Sequence, residues 1–293
     1  MKLTGIFASL PTPFGHRGEM YMSKVRHNLA LWNRMPLAGY LVGSGTGEGT
    51  ALEFEEKSRL WEETAKGVPP EKVLLAGIQS EGVRQAVREV NRAAEAGCQA
   101  AVVAMPAFGG EPAEASATAA VYFRAVADQS RLPLIVSCPA RGWAAAAEPD
   151  VLISLAGHPN IVALRIGTGD PALLDRWLEA AAGQITIIAA NGSNLYRALA
   201  AAAPVITSLA ALAPYYCLTI EEAVRTREFE AAEDLQRRAT RASTEVIARH
   251  GVPGLKYAMD LQGYYGGPPR LPLYRVNAAA GQEIEAALHG ISS

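Results

Sequence analysis

A glycine-rich run is the first feature of this sequence that could do chemistry. It covers residues 43–49 and reads Gly-Ser-Gly-Thr-Gly-Glu-Gly. Glycines let successive backbone N–H groups turn toward an anion, and the Thr46 hydroxyl adds a further donor. The run therefore predicts an anion-binding turn that contains Gly45, Thr46 and Glu48. A tight turn that needs glycine only for its positive φ is the simpler alternative.

Two arginines lie in or just after apolar runs, where a charge must be paired or functional. Arg165 lies near the end of the run 161–166, and Arg141 follows the run 133–138. A guanidinium can hold a carboxylate through two parallel hydrogen bonds, so both residues are candidates for binding a small acid. The alternatives are a salt bridge at the rim for Arg141 and an ion pair between Arg165 and Glu48.

The cysteines and histidines do not form a pattern that is typical of a metal or thiol site. Cys98, Cys138 and Cys217 are far apart and odd in number, which fits neither a disulfide framework nor metal-ligand spacing. None of the five histidines falls at the C-terminus of a predicted strand, although His16 is close to the first. We therefore predict no metal, no cofactor and no histidine-based acid–base catalysis.

Composition and charge exclude several classes of partner. The chain has 293 residues, and its 27 Lys and Arg against 29 Asp and Glu leave a net charge of −2. Nucleic acid or an anionic membrane surface would favour a basic surplus. No run of about 18 uncharged apolar residues is present, and the N-terminus lacks a signal-peptide pattern. These features predict a cytoplasmic protein that binds neither nucleic acid nor a membrane.

The elements that must position these residues alternate along the chain. Eight short β-rich runs, mostly continuous in apolar residues as in a buried parallel sheet, are separated by helical patterns. The runs are Gly5–Leu10, Gly39–Gly43, Val73–Gly77, Ala100–Ala104, Pro133–Cys138, Ile161–Ile166, Ile185–Ala189 and Val205–Ser208. Strand followed by helix eight times predicts an α/β fold, a closed (β/α)8 TIM barrel with its site at the C-terminal ends of the strands. We assign residues 1–222 to the barrel and 223–293 to a C-terminal helical region packed on it.

Helix boundaries are also readable in places. Asp170 followed by Pro171 predicts a helix start, because an acidic N-cap and a proline at the first position are both favoured there. In the C-terminal region, residues 228–250 predict one long amphipathic helix that ends at Gly251 and Pro253.

Several segments match a known family in the order in which they occur. Thr12-Pro13-Phe14 resembles its opening TPF, and residues 44–48 (SGTGE) resemble its GTTGE turn. The other matching segments are residues 53–59 (EFEEKSR), Pro106-Ala107-Phe108, Arg141 after the YNxP position, and residues 251–273 (GVPGLKYAMDLQGYYGGPPRLPL). Over nearly its whole length the chain thus resembles the dihydrodipicolinate synthase / N-acetylneuraminate lyase family of class I aldolases. That resemblance implies a barrel with a C-terminal helical region, a homo-oligomer (usually a tetramer), and chemistry on 2-oxo acids such as pyruvate.

The family's catalytic residues do not carry over to this chain. In that family a barrel lysine forms a Schiff base with the ketone, and two tyrosines and a threonine relay protons. The resemblance places Arg165 at the lysine position, and a guanidinium cannot act as the amine nucleophile. It places Ser137 or Val136 at the tyrosine of YNxP. Gly45 stands at the position of the threonine and Phe108 at that of the second tyrosine.

The residues that the resemblance assigns to binding are better preserved. They are Thr46, Glu48, Arg141 and Gly192, the last in the loop after the seventh strand. Lys256 matches a family lysine of the C-terminal region, away from the imine site. Gly45, Phe108 and Ser137 complete the predicted set around the substrate.

Three functions follow from this comparison. The first is a lyase-family protein that binds a small oxo acid or dicarboxylate without imine chemistry, with Arg165 as a fixed cation and Glu48 as the nearest candidate base. The second is a non-catalytic ligand-sensing or assembly protein, in which an Arg165–Glu48 pair fills the barrel. The third is an active pyruvate aldolase whose lysine lies elsewhere. An open cavity with an unpaired Arg165 would favour the first function over the second.

Overall fold

Eight parallel strands close into a barrel in the computed structural model, which describes residues 3–107, 112–138 and 149–291. Each strand pairs with the next in chain order, and β8 closes onto β1. The strands are β1 Ile6–Ser9, β2 Gly39–Val42, β3 Val73–Ile78, β4 Ala100–Ala104, β5 Leu134–Cys138, β6 Ile161–Ile166, β7 Thr186–Ala189 and β8 Val205–Thr207. The predicted (β/α)8 barrel is confirmed, and each predicted run corresponds to one strand.

Helices surround the barrel and continue beyond its last strand. They are α1 Met22–Trp32, α2 Phe54–Gly67, α3 Val83–Glu95, α4 Pro112–Ala127, α5 Pro149–Ile153, α6 Pro171–Ala180, α7 Leu195–Ala200, α8 Leu209–Leu212, α9 Pro214–Arg225, α10 Phe229–Ala242, α11 Arg249–Leu261 and α12 Ala278–Leu288. The predicted C-terminal helical extension is therefore present. The division at residue 222 stays a prediction, and α9 runs through that position. No described helix is both long and apolar enough to cross a bilayer.

The long C-terminal helix differs from the prediction of one element over residues 228–250. A π-helical turn, Ser243–Ala248, separates α10 from α11. The amphipathic pattern does not reveal this turn, because one wider turn leaves the apolar stripe nearly continuous. The predicted break at Gly251 does occur, since its φ of 63° lies outside the helical region. The chain then resumes a helix that reaches Leu261.

The start of α6 is built as predicted. Pro171 is its first residue, and the Asp170 side chain accepts a hydrogen bond from the backbone N–H of Ala172 at 2.9 Å. Asp170→Ala is expected to lower the free energy of unfolding by about 1 kcal/mol, because that N–H loses its acceptor. Urea denaturation of the two proteins measures this difference. Glu179→Ala, an exposed change on the same helix, should stay within about 0.5 kcal/mol of the parent. Equal effects of the two changes would contradict the capping role.

The barrel interior is filled by apolar side chains from all eight strands. The buried cluster consists of Phe7, Leu41, Leu75, Ala100, Val102, Ile135, Ala163, Ile188 and Ile206. A second and larger core lies between the strands and the helices. Because side chains alternate between the two faces of a strand, the residue two positions after each interior residue also points inward. Those inward positions at the C-terminal end of the barrel, here called the barrel mouth, carry the candidate site.

The C-terminal helical region is joined to the barrel helices by specific contacts. The rings of Trp32 in α1 and Tyr264 after α11 stack with centroids 5.3 Å apart. The Asn28 side chain donates to the carbonyl of Tyr265 at 2.8 Å and accepts from its N–H at 2.8 Å. Residues 262–277 therefore pass close to the barrel loops on the α1 side.

Candidate anion-binding site at the barrel mouth

Strand register brings Ser137 and Arg165 together on the inner face. Ile135 and Ala163 belong to the interior cluster, and these two residues follow them by two positions on β5 and β6. Ser137 and Arg165 are also direct partners across the two strands. Val136 faces the outer core instead. Of the two candidates for the family's tyrosine position, Ser137 is therefore the residue that points into the barrel.

The Arg165 guanidinium reaches from β6 to the neighbouring strand β5 and, past β7, to β8. Its Nη1 donates to Ser137 Oγ at 3.1 Å, and its Nη2 donates to the carbonyl of Ile206 on β8 at 3.3 Å. Two of its five N–H donors are thus used, and the buried Nε has no described partner. Burial lowers the pKa of Arg165 to about 10, so the group remains a cation at neutral pH.

Arg165 has no carboxylate partner within the described parts of the chain. No Asp or Glu oxygen of those parts lies within 4.0 Å of its guanidinium. Its two bonds go to neutral oxygens, which satisfy hydrogen bonds without neutralising the charge. A partly buried cation in this state attracts an anion of suitable size. The arrangement can therefore bind a carboxylate or polarise a carbonyl oxygen.

Glu48, the proposed partner of Arg165, is held by other groups. Its Oε1 lies 2.5 Å from Nζ of Lys256, and its Oε2 accepts from the backbone N–H of Arg270 at 2.7 Å. The side chains of Glu48 and Lys256 are 3% and 0% exposed. The Arg165–Glu48 pair considered from the sequence is consequently not formed, because the C-terminal region supplies a closer cation.

The glycine-rich turn combines positive φ angles with backbone donors that remain available. Gly43 has φ 74° and Glu48 has φ 55°, so the simpler role of glycine in a tight turn does apply at Gly43. The N–H groups of Glu48 and Gly49 bond back to the carbonyls of Gly45 and Ser44. The N–H groups of Gly45, Thr46 and Gly47 donate to no acceptor among the described residues. Gly45 is exposed and Thr46 half-buried, so both can reach a ligand.

Hydroxyl groups hold this turn against the first strand. Thr12 Oγ1 donates to the carbonyl of Gly47 at 2.6 Å, and the Oγ atoms of Ser9 and Ser44 are 3.1 Å apart. All three side chains are buried. Sequence reasoning did not single out the two serines, although Thr12 and Ser44 lie within the matching segments. Their spacing of more than 30 residues carries no local signal.

The other predicted site residues have different outcomes. Gly192 is buried, its carbonyl accepts from Nε2 of Gln236 at 2.9 Å, and a Cβ there would collide with Ser243. The absence of a side chain at Gly192 thus permits close packing of the β7 loop against α10 and the π-helical turn, and the role of Gly192 in binding stays a prediction. Phe108 and Arg141 lie outside the described residues.

Neither a metal site nor a reactive thiol is present in the described residues. Those residues contain no group of three His, Cys, Asp or Glu that could hold an ion. All three cysteines are free and buried, and burial raises the pKa of the Cys98 and Cys138 thiols to about 12. The thiols are therefore protonated and unreactive at neutral pH.

Comparison with known proteins gives a consistent result over the whole chain. A family model described as "Dihydrodipicolinate synthetase family" matches residues 2–291. A 4-hydroxy-tetrahydrodipicolinate synthase from an Exiguobacterium species is 26% identical, covering 97% of both chains. An N-acetylneuraminate lyase from Rhizobium meliloti is 27% identical, covering 95% of this chain and 92% of its own.

Solved structures agree in fold. A dihydrodipicolinate synthase from Bacillus anthracis superposes with a TM-score of 0.89 at 21% identity, covering 100% of both chains. An N-acetylneuraminate lyase from Proteus mirabilis gives a TM-score of 0.84 at 19% identity, covering 98% of this chain and 99% of that one. At such identities the likeness concerns the barrel and its helical extension rather than the chemistry.

Proposed function

The chain belongs to the dihydrodipicolinate synthetase family of aldolase-like lyases, and from that membership we propose that its barrel mouth binds a small oxo acid or dicarboxylate without forming an imine. The observation that carries the proposal is the Arg165 cation, which has no carboxylate neighbour among the described residues. Its charge, and the N–H donors that have no partner in the described parts of the chain, suit the two oxygens of a carboxylate. With Arg141 as a second cation, the site would favour dicarboxylates over pyruvate.

The absence of an imine follows from the chemistry of the available side chains. Arg165 stays protonated near neutral pH and offers no lone pair to a ketone. None of the five described lysines lies on the inner face of a strand. Lys24, Lys57, Lys66 and Lys256 lie in helices, and Lys72 directly precedes β3, at the end of that strand opposite the barrel mouth. Lys256 is fully buried against Glu48 and the Phe14 ring, which shields its amine from a substrate. This placement gives no support to an aldolase with a relocated lysine.

Any reaction at this site would depend on electrostatics rather than on covalent catalysis. A guanidinium close to a carbonyl oxygen stabilises negative charge that develops there. Glu48 is poorly suited to act as a base, because both of its oxygens already face donors. The non-catalytic alternative relied on an Arg165–Glu48 pair, so the observed pairing favours a ligand site. A homo-oligomer, dimer or tetramer, and a cytoplasmic location remain part of the proposal.

A ligand screen tests the proposal directly. Thermal unfolding is followed with oxo acids, dicarboxylates and sugar acids, and a ligand at 100 times its Kd should stabilise the protein by about 2.7 kcal/mol. That corresponds to a shift of roughly 5 °C for a chain of this size. Dicarboxylates are expected to give the largest shifts. No shift with any compound would contradict the proposal and favour the non-catalytic function.

Borohydride trapping tests the missing imine in the same samples. Pyruvate with borohydride should leave no covalent adduct on the wild-type chain. Arg165→Lys places a primary amine at the same inward position, where desolvation favours the neutral nucleophile, and should gain an adduct. Mass spectrometry of the intact protein reads the result. An adduct on the wild-type chain would overturn the proposal.

A further inference from the structure

The glycine-rich turn is anchored to the C-terminal helical region through Glu48. Lys256 lies on α11, and its Nζ contacts Glu48 Oε1 at 2.5 Å and donates to the carbonyl of Pro268 at 3.1 Å. The same ammonium lies 4.5 Å from the centroid of the Phe14 ring. Lys256 therefore touches the first barrel loop, the turn and the C-terminal segment at once. Burial lowers the pKa of Lys256, whereas the Glu48 carboxylate opposes that shift.

Arg270 also links the glycine-rich turn to the C-terminal helical region, through the second carboxylate oxygen of Glu48. Its backbone N–H holds Glu48 Oε2, and its guanidinium forms two bonds to the Glu56 carboxylate at 2.6 and 2.7 Å. It also donates to the carbonyls of Gly18 and Ala51. Residues on both sides of the turn are thus tied to one short segment of the C-terminal region.

The backbone of Glu48 shows why such an anchor matters. Its φ of 55° lies in the left-handed region, which side chains other than glycine rarely adopt and which persists when the surroundings impose it. Lys256 Nζ and the Arg270 N–H hold the two carboxylate oxygens of Glu48 and so fix this residue in place. The position of Glu48 in turn fixes the direction of the N–H groups of Gly45 and Thr46, which have no acceptor among the described residues, because the N–H of Glu48 bonds to the Gly45 carbonyl at 3.1 Å.

We propose that Lys256 is a positioning residue, whose ammonium holds Glu48 and thereby keeps the Gly45–Thr46 backbone donors in the geometry that binds a carboxylate. The affinity of the barrel mouth is then set in part by the C-terminal helical region. This inference rests on the proposed function for its ligand, but the anchoring of the turn can be measured without one.

The test compares the variant Lys256→Met with the variant Lys57→Met, which removes a different buried lysine. Lys57 also forms a buried ion pair, with Glu89 at 2.8 Å, but that pair joins α2 to α3 and does not contact the turn. Malonate affinity is measured by calorimetry at 25 °C, on protein whose fold is checked by circular dichroism. Hydrogen exchange of the ligand-free protein is followed at the amides of Glu48, Gly49 and Ala51, which have described acceptors.

Lys256→Met is expected to speed exchange at these amides and to weaken malonate binding, each at least tenfold. Lys57→Met should lower the melting temperature and leave both other readouts unchanged. The double variant Lys256→Met with Glu48→Gln removes the unpaired buried charge, so it should regain stability yet keep fast exchange and weak binding. If Lys256→Met alone does not fold, exchange and affinity are measured on this double variant.

The outcomes separate this inference from the proposed function. If no compound of the ligand screen binds the wild-type chain, the proposed function fails, and hydrogen exchange at the turn alone decides whether Lys256 holds the turn. If exchange and affinity in the Lys256 variants match those of Lys57→Met, Lys256 contributes only stability and the inference is overturned.

Discussion

Replacing Arg165 with methionine is expected to weaken dicarboxylate binding at least a hundredfold. The change removes the cation that we assign to the ligand carboxylate. Truncating one member of a buried charge pair typically costs about 2–5 kcal/mol of binding free energy. A loss of about 2.7 kcal/mol corresponds to a hundredfold increase in Kd. Methionine keeps much of the volume of the arginine stem, so packing around Ser137 and Ile206 should change little. Calorimetric titration with malonate measures the loss.

Although Arg165→Met should weaken binding, it should stabilise the ligand-free protein. The buried Nε of Arg165 has no described partner, and the charge has no described carboxylate neighbour. An orphaned buried donor costs about 1–3 kcal/mol, so Arg165→Met should raise the free energy of unfolding by about 1 kcal/mol. Binding sites often keep such unfavourable groups for function. The control is Arg131→Met, which removes an exposed arginine paired with Glu95 and should change neither quantity appreciably. If Arg165→Met binds malonate with the same affinity as the wild-type chain, the assignment of Arg165 to the ligand carboxylate is refuted.

Replacing Lys256 with methionine should cause a loss of stability of about 3–5 kcal/mol. Glu48 would remain buried without its cation, and breaking a buried ion pair from one side costs about that much. Contacts of the lysine with the Pro268 carbonyl and the Phe14 ring would be lost as well. The midpoint of urea unfolding at pH 7, with its slope, measures the change.

Pairing this change with Glu48→Gln distinguishes charge from packing. Glutamine is neutral and can still accept from the Arg270 N–H, so the double variant should recover at least about half of the lost stability. A double variant as unstable as Lys256→Met would show that the loss comes from packing around the lysine stem rather than from an unpaired carboxylate.

Local patterns in the amino-acid sequence correctly predicted several parts of this protein. The eight strands, the start of α6 at Asp170–Pro171 and the break at Gly251 all follow from periodicity or from contacts within a few residues. The matching segments likewise indicated the family, which the comparison over residues 2–291 confirms. The π turn within the C-terminal helices was missed, because it alters hydrogen bonding without altering the apolar pattern.

The pairing of charged side chains, by contrast, depends on how distant segments of the chain pack together. From the sequence, Glu48 was the expected partner of Arg165, because both residues were predicted at the same end of the barrel. In the structure, Nζ of Lys256 lies 2.5 Å from Glu48 Oε1 instead. The Arg270 N–H that holds its other oxygen is 222 residues away along the chain. Choosing Ser137 over Val136 likewise required the register of β5 against β6. Ion pairing depends on distance and burial in three dimensions, and residue type and spacing do not encode how the C-terminal region folds back onto the barrel.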